Sequence, residues 1–181
     1  MKKILVVVDM QNDFINGSLG TKEAERIIDP VVAKIKKYQA DETCSGTIYV
    51  TQDTHPVNYL ETAEGKKLPV EHCISGTWGW ELNERVKEAL TDSVNIEKPT
   101  FGSYALADQI YALYQRQREK ELEIELIGLC TDICVVTNAL LLKTKMPEAV
   151  IKVDSACCAG VTKESHAAAL LTMKMCQIEV V

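Results

Sequence analysis

Six short runs of Val, Ile and Leu, separated by stretches with helical spacing, set the fold class of this chain. The runs cover residues 3–9, 46–52, 93–97, 122–129, 148–153 and 177–181. Strands buried on both faces read as such near-continuous apolar runs, and their alternation with helices marks a parallel sheet covered on each side. The expectation is an α/β protein with three layers, α/β/α, around a six-stranded parallel sheet. The 181 residues are enough for one domain with a single large core, placed here at 1–181, and no repeat, low-complexity tract or linker interrupts them.

The helices between the runs have readable starts. Asp29-Pro30 offers an N-cap followed by proline at the first helical position, with Val31, Val32 and Ile35 as the apolar face. Leu82, Val86, Ala89 and Leu90 form a second stripe. Leu106, Ile110, Leu113 and Tyr114 form a third, on a helix that Ser103 caps. A helical pattern runs from Val135 to Thr144. Thr162 opens a last helix, whose apolar face is read as Ala168, Leu171 and Met175.

Charge and cysteine usage narrow the function classes. The formal net charge of −6 argues against a surface that tracks nucleic-acid phosphates, which needs clustered Lys and Arg. Lys2-Lys3 before an apolar run resembles the opening of a signal peptide, but the run stops at Asp9, short of an h-region of about 7–15 residues. No later run could span a bilayer, so no membrane association and a cytoplasmic location are expected. The seven cysteines (44, 73, 130, 134, 157, 158 and 176) are odd in number and irregular in spacing, which points to reduced thiols rather than a disulfide framework. Cys44, Cys157, Cys158 and Cys176 read as small buried hydrophobes.

Three residues fall where open α/β sheets keep their ligands, at the carboxyl edges of the strands. Asp9 ends the first run, Lys98 follows Val94-Asn95-Ile96-Glu97, and Cys134 lies in Gly128-Leu129-Cys130-Thr131-Asp132-Ile133-Cys134-Val135. A thiol on the turn from a strand into a helix feels the positive helix end, which favours a thiolate. An amide hydrolase built on cysteine needs that thiolate, a proton carrier for the leaving amine and donors for the oxyanion. Cys134, Asp9 and the backbone N–H groups of Cys130 and Cys134 match those parts, with Lys98 favouring the charged pair. Each residue alone has a plainer reading: a buried thiol, a capping carboxylate, a solvated lysine. The case rests on their coming together.

Asp53-Thr54-His55 follows the second run, and His72 lies 17 positions after His55. In Asp-x-His, alternate side chains of an extended backbone face one side, so one carboxylate and two imidazoles suit a divalent Zn, Fe or Mn ion. Glu64 is a candidate fourth ligand, with Glu61 and Glu71 competing. The plainer reading makes His55 a turn residue before Pro56 and His72 partly buried. Cys73 should point the opposite way from His72. The whole segment 53–80, rich in Pro and Gly and holding both tryptophans, is long for a connection and reads as a pocket wall.

Taken in order, these pieces resemble the cysteine hydrolases of the isochorismatase-like superfamily, in particular the nicotinamidase/pyrazinamidase branch. The matching segments are Asp9-Met10-Gln11-Asn12-Asp13-Phe14, Gln52-Asp53-Thr54-His55-Pro56 and His72-Cys73-Ile74-Ser75-Gly76-Thr77 with Gly79 and Glu81-Leu82. Lys98 with Phe101 and Gly128-x-x-Thr131-Asp132-x-Cys134-Val135 complete them. The resemblance implies a Rossmann-like six-stranded sheet, a catalytic triad of Asp9, Lys98 and Cys134, and metal ligands Asp53, His55 and His72. It also implies a cis peptide bond between Leu129 and Cys130 that turns the Cys130 N–H toward the oxyanion. The implied reaction is hydrolysis of nicotinamide to nicotinate and ammonia, serving NAD salvage, through a Cys134 thioester; a homo-oligomer is implied as well. True isochorismatases lack the nucleophilic cysteine.

One departure concerns the substrate. The branch places an aromatic residue shortly before the second metal histidine, whereas this chain has Lys67-Leu68-Pro69-Val70-Glu71-His72. Phe14 then supplies one wall of the ring site, with Leu68 or Trp78 on the other. This leaves a related hydrolase of another small amide or ureido compound as the alternative. A thiol redox or sensing protein using Cys130 and Cys134 is a further one, though Cys-x-x-x-Cys lacks the usual redox spacing. A binding module without turnover is the last, and the absence of Gly-x-Gly-x-x-Gly gives dinucleotide binding no support.

Overall fold

The computed structural model describes residues 2–41, 47–116 and 122–181. Its strands are β1 (Lys2–Val8), β2 (Ile48–Asp53), β3 (Val94–Lys98), β4 (Leu122–Leu129), β5 (Val150–Ala159) and β6 (Glu179–Val180). They form one six-stranded sheet in the order β3-β2-β1-β4-β5-β6, and every neighbouring pair is parallel. The helices are α1 (Asn12–Ile15), α2 (Lys22–Arg26), α3 (Ile28–Ala40), α4 (Glu84–Ala89), α5 (Tyr104–Gln115), α6 (Val136–Lys145) and α7 (Lys163–Met175).

β1 shows how the layers arise. Successive side chains of a strand point to opposite faces. Ile4, Val6 and Val8 pack with Leu106, Ile110, Leu142 and Met173 from α5, α6 and α7. Leu5 and Val7 pack with Val31, Ile35 and Val86 from α3 and α4. An apolar residue at every position is what a strand between two helical layers requires. The strand order reverses between β1 and β4, and in open α/β sheets the crevice beyond that point is where ligands bind.

Several boundaries differ from the sequence reading. Helix α3 begins at Ile28, so Asp29 is a residue of its first turn rather than its cap; Thr21 caps the short α2 before it. Leu82 is buried but precedes α4, which Asn83 caps. Strand β5 runs on through Cys157 and Cys158 to Ala159, beyond the expected end at 153, after a register shift against β4 between Leu126 and Gly128. Strand β6 shrinks to two residues. Gly46, expected to open the second strand, and Cys44 lie outside the described residues.

The largest difference is in α7. Its buried residues are Ala169 and Met173, while Ala168, Leu171 and Met175, read as the core face, point away from the sheet. The helix carries two apolar stripes, and spacing alone does not say which one meets the core. Cys176, expected to be buried, is exposed as well. No helix among the described residues is long and apolar enough to cross a membrane.

Candidate active site

Parallel strands in register deliver their last residues to one rim. Val8 of β1 pairs with Thr51 of β2 and Gly128 of β4, and Asp53 of β2 pairs with Lys98 of β3. The residues just beyond these pairs are Asp9 and, after Leu129, Cys130. Gly128 has a φ of +115°, and a Cβ there would lie 2.1 Å from the Val8 carbonyl oxygen. Only glycine lets β4 pass that close to β1. The Leu129–Cys130 peptide bond is cis, as expected. Thr131–Val135 then forms one wide π turn that runs directly into α6, a local geometry frequent at functional sites.

Asp9, Lys98 and Cys134 meet at this rim. Asp9, itself at φ +47°, is fully buried, and its Oδ1 accepts from Thr51 Oγ1 at 2.7 Å. Lys98 Nζ lies 2.7 Å from Asp9 Oδ2, 3.3 Å from Asp53 Oδ1 and 3.4 Å from Cys134 Sγ. Lys98 is 1% exposed, so the solvated-lysine reading fails. Burial alone would lower its pKa, but Asp9, Cys134 and Asp53 outweigh that and hold the ammonium charged.

The surroundings of the thiol work against the helix end that the sequence shows. Burial, and next the negative charge of Asp9, push the Cys134 thiol well above its ordinary value despite Lys98. These surroundings favour the thiol over the thiolate, with the Lys98 ammonium 3.4 Å from the sulfur as the opposing influence. Burial also raises the Asp9 carboxyl, with Lys98 opposing and Asp53 adding to the rise. A carboxyl held up in this way is suited to passing a proton back and forth. Burial and then Asp132 push the Cys130 thiol up to about 12, which takes a ready thiolate partner away from any Cys130–Cys134 redox couple.

Beside the triad, Asp53, His55 and His72 are all buried, and one ligand atom of each lies within 4.8 Å of the others. His55 Nε2 is 2.9 Å from Asp53 Oδ2, and His72 Nε2 is 3.7 Å from the same oxygen. Glu64 Oε1 stands 3.8 Å from each of the two Nε2 atoms, while Glu61 and Glu71 are exposed. His72 Nδ1 is 2.8 Å from the Val70 carbonyl oxygen, which aims its Nε2 inward. His55 Nε2, close to Asp53 but poorly aligned with it, is a buried nitrogen without a hydrogen bond. One carboxylate, two imidazole nitrogens so presented and a nearby second carboxylate fit a divalent ion. Cys73 faces away into the apolar core, as expected.

Two supporting residues were not singled out from the sequence. Gln11, fully buried, clasps Asp53 from both sides: its Oε1 accepts from Asp53 N at 2.7 Å, and its Nε2 donates to Asp53 O at 2.9 Å. Tyr59, also fully buried, packs its ring 4.7 Å from His55 and 4.9 Å from His72 and donates its hydroxyl to Leu68 O at 3.0 Å. An amide inside a motif and a tyrosine in a loop carry no distinctive spacing. The three-dimensional contacts alone reveal them.

A cavity of about 450 Å³ opens over these groups. Asp53, His72 and Cys134 lie in its floor, and Phe14, Leu68, Phe101 and Ile133 form apolar walls. Phe14 and Leu68, expected as walls of the ring site, both line this cavity. Trp78, the other candidate, is 59% exposed and is not among the described residues that line the cavity; its carbonyl accepts from Asn12 Nδ2 at 2.8 Å.

The Isochorismatase domain model matches residues 3–181 of this chain. A nicotinamidase from Acinetobacter baylyi is 30% identical over 163 residues, covering 75% of this chain and 72% of the relative. The crystal structure of nicotinamidase/pyrazinamidase PncA from Bacillus subtilis is 28% identical, covers 100% of both chains and superposes with a TM-score of 0.82. That of the pyrazinamidase of Pyrococcus horikoshii in complex with zinc is 25% identical, covers 100% of this chain and 99% of its own, and also gives 0.82. With a sheet, a cis bond and a rim of polar residues consistent with that match, the chain belongs to the isochorismatase family.

Proposed function

We propose that this chain is a metal-assisted cysteine amidohydrolase whose substrate is nicotinamide. The observation that carries the reading is the contact of Cys134 Sγ, which lines the cavity, with Lys98 and of Lys98 with Asp9, at 3.4 and 2.7 Å. The nicotinamidase and pyrazinamidase relatives supply the substrate class.

The chemistry follows from the proton inventory. The Cys134 thiol gives its proton to Asp9 as the sulfur bonds to the carboxamide carbon. The carbonyl oxygen becomes an oxyanion, for which the N–H groups of Cys130 and Cys134 are the donors. Asp9 passes the proton to the departing nitrogen, the C–N bond breaks and ammonia leaves a thioester on Cys134. A water molecule then gives a proton to Asp9 and its oxygen attacks the thioester. Sulfur departs, takes the proton back from Asp9, and the carboxylic acid is released. Lys98 stays charged throughout and stabilises whichever of Asp9 and Cys134 carries the negative charge.

Asp53, His55 and His72, with Glu64 as the fourth ligand, would hold a zinc, iron or manganese ion. When bound, such an ion would supply Lewis-acid chemistry beside the cavity that holds the substrate. Phe14 and Leu68 flank the ring. Because the stretch Lys67-Leu68-Pro69-Val70-Glu71 before His72 has no aromatic, hydrolysis of another small amide or ureido compound is the second reading. The test is ammonia release from nicotinamide by metal-loaded protein, with a ureido compound in parallel. Ammonia from nicotinamide supports the first reading; release from the ureido compound alone replaces it with the second. The same reading includes a homo-oligomer, supported by the apolar stripe that α7 leaves exposed.

A further inference from the structure

We propose that His166 is a positioning residue of the catalytic turn and acts through Thr131. The proposal rests on the cysteine-hydrolase reading of the site. Thr131 lies between the two cysteines of the turn, is fully buried, and its Oγ1 is 2.8 Å from His166 Nδ1. His166 comes from α7, an element otherwise remote from the chemistry.

The contact is built rather than incidental. Thr162 caps α7 with a reciprocal bond to Ser165, and the His166 N–H donates to the Thr162 carbonyl at 3.0 Å. That capped first turn fixes where the imidazole emerges. Gly160 lies against it: a Cβ at this position would meet His166 Cβ at 2.9 Å and its Cα at 3.0 Å. A side chain on residue 160 would push the imidazole off Thr131. The same segment grips the next residue of the turn, since the Val161 N–H donates to the Asp132 carboxylate at 3.2 Å.

Thr131 and Asp132 are thus tied from behind by 160–166, while Cys130 and Cys134 of the same turn face the cavity. In a turn this short, the direction of the Cys130 and Cys134 N–H groups is set by how Thr131 is held. Freeing Thr131 leaves a buried hydroxyl unpaired and lets the turn drift, and small misplacements of reacting groups cost rate more than substrate affinity.

The test uses His166→Leu, His166→Asn, Thr131→Val and the double variant His166→Leu/Thr131→Val. Asparagine can place an acceptor oxygen near the position of Nδ1; leucine cannot. With nicotinamide, His166→Leu is expected to lower kcat about tenfold with KM and metal content unchanged. His166→Asn is expected to recover most of that loss, and the double variant to be no slower than either single change. Labelling of Cys134 by iodoacetamide, followed by peptide mapping, is a second readout that needs no substrate, and the same order of rates is expected. If His166→Leu does not fold, Thr131→Val removes the same hydrogen bond at constant size and decides alone.

Wild-type kcat and labelling rate in folded His166→Leu would overturn the proposal. So would equal losses in the Leu and Asn variants, or additive losses in the double variant. Wild-type protein inactive on nicotinamide would instead overturn the functional reading, and the labelling rates would still decide the role of His166.

Discussion

At the scale of single residues, the site divides into groups that react and groups that hold. Cys134→Ala removes the sulfur but leaves the Lys98–Asp9 and Lys98–Asp53 ion pairs and the metal ligands in place. Turnover should fall by about three orders of magnitude or more, with metal content and melting temperature near wild type. Activity assays beside elemental analysis check this, and substantial residual turnover would rule out the covalent route. His72→Ala should do the reverse: the protein loses its ion and KM rises more than kcat falls, because the ligand set is cut while the nucleophile is intact. The reactive residues were legible in the sequence because cysteine, lysine, aspartate and histidine stand out at the ends of apolar runs. The electrostatic surroundings of the thiol were not. The burial of Cys134 and the adjoining Asp9, which both push its pKa up, come from the tertiary fold.

At the scale of elements, the strands were legible because burial on both faces leaves continuous apolar runs. Their ends were less so: Asp154 and Ser155 break the apolar run within β5, and the register shift against β4 that lets the strand continue is a property of the pair. The two stripes of α7 were misassigned for a related reason, since the choice between them is made by the sheet and not by the helix. The end of β4 gives the sharpest element-scale prediction. Gly128→Ala would force a side chain at φ +115° and put a Cβ 2.1 Å from the Val8 carbonyl oxygen. Backbone strain and overpacking together should cost about 3 kcal/mol or more. Because the parting of β1 and β4 aims both Asp9 and the catalytic turn, activity should fall with stability. Urea denaturation with and without substrate turnover measures both, and a variant as stable as wild type would contradict the close approach.

At the scale of the whole molecule, a sheet that reverses its strand order between β1 and β4 creates the crevice, and the helices must then cover both faces without leaving apolar surface in water. They do not quite succeed. Leu171 is 61% exposed and Met175 77% exposed on the outer face of α7, beside exposed Ala167 and Ala168. This stripe is the surface that the homo-oligomer proposed above would use. Exposed Glu164 lies near the start of the helix beside exposed Lys163, and exposed Lys174 near its end. In the homo-oligomer proposed above, a two-fold contact through this stripe would lay one α7 antiparallel on another, bring each Glu164 toward Lys174 of the second copy, and seat Leu171 against small alanines. Light scattering after size exclusion should therefore find a dimer that Leu171→Glu and Met175→Glu turn into monomers with unchanged circular dichroism. Glu164→Lys or Lys174→Glu alone should weaken it by a smaller amount, since a surface ion pair contributes about 1 kcal/mol at most. The two charge reversals together should restore it, because the pair is re-formed with its signs exchanged. A wild-type protein that stays monomeric at high micromolar concentration, or a dimer indifferent to Leu171→Glu, would show that this stripe does not join two copies.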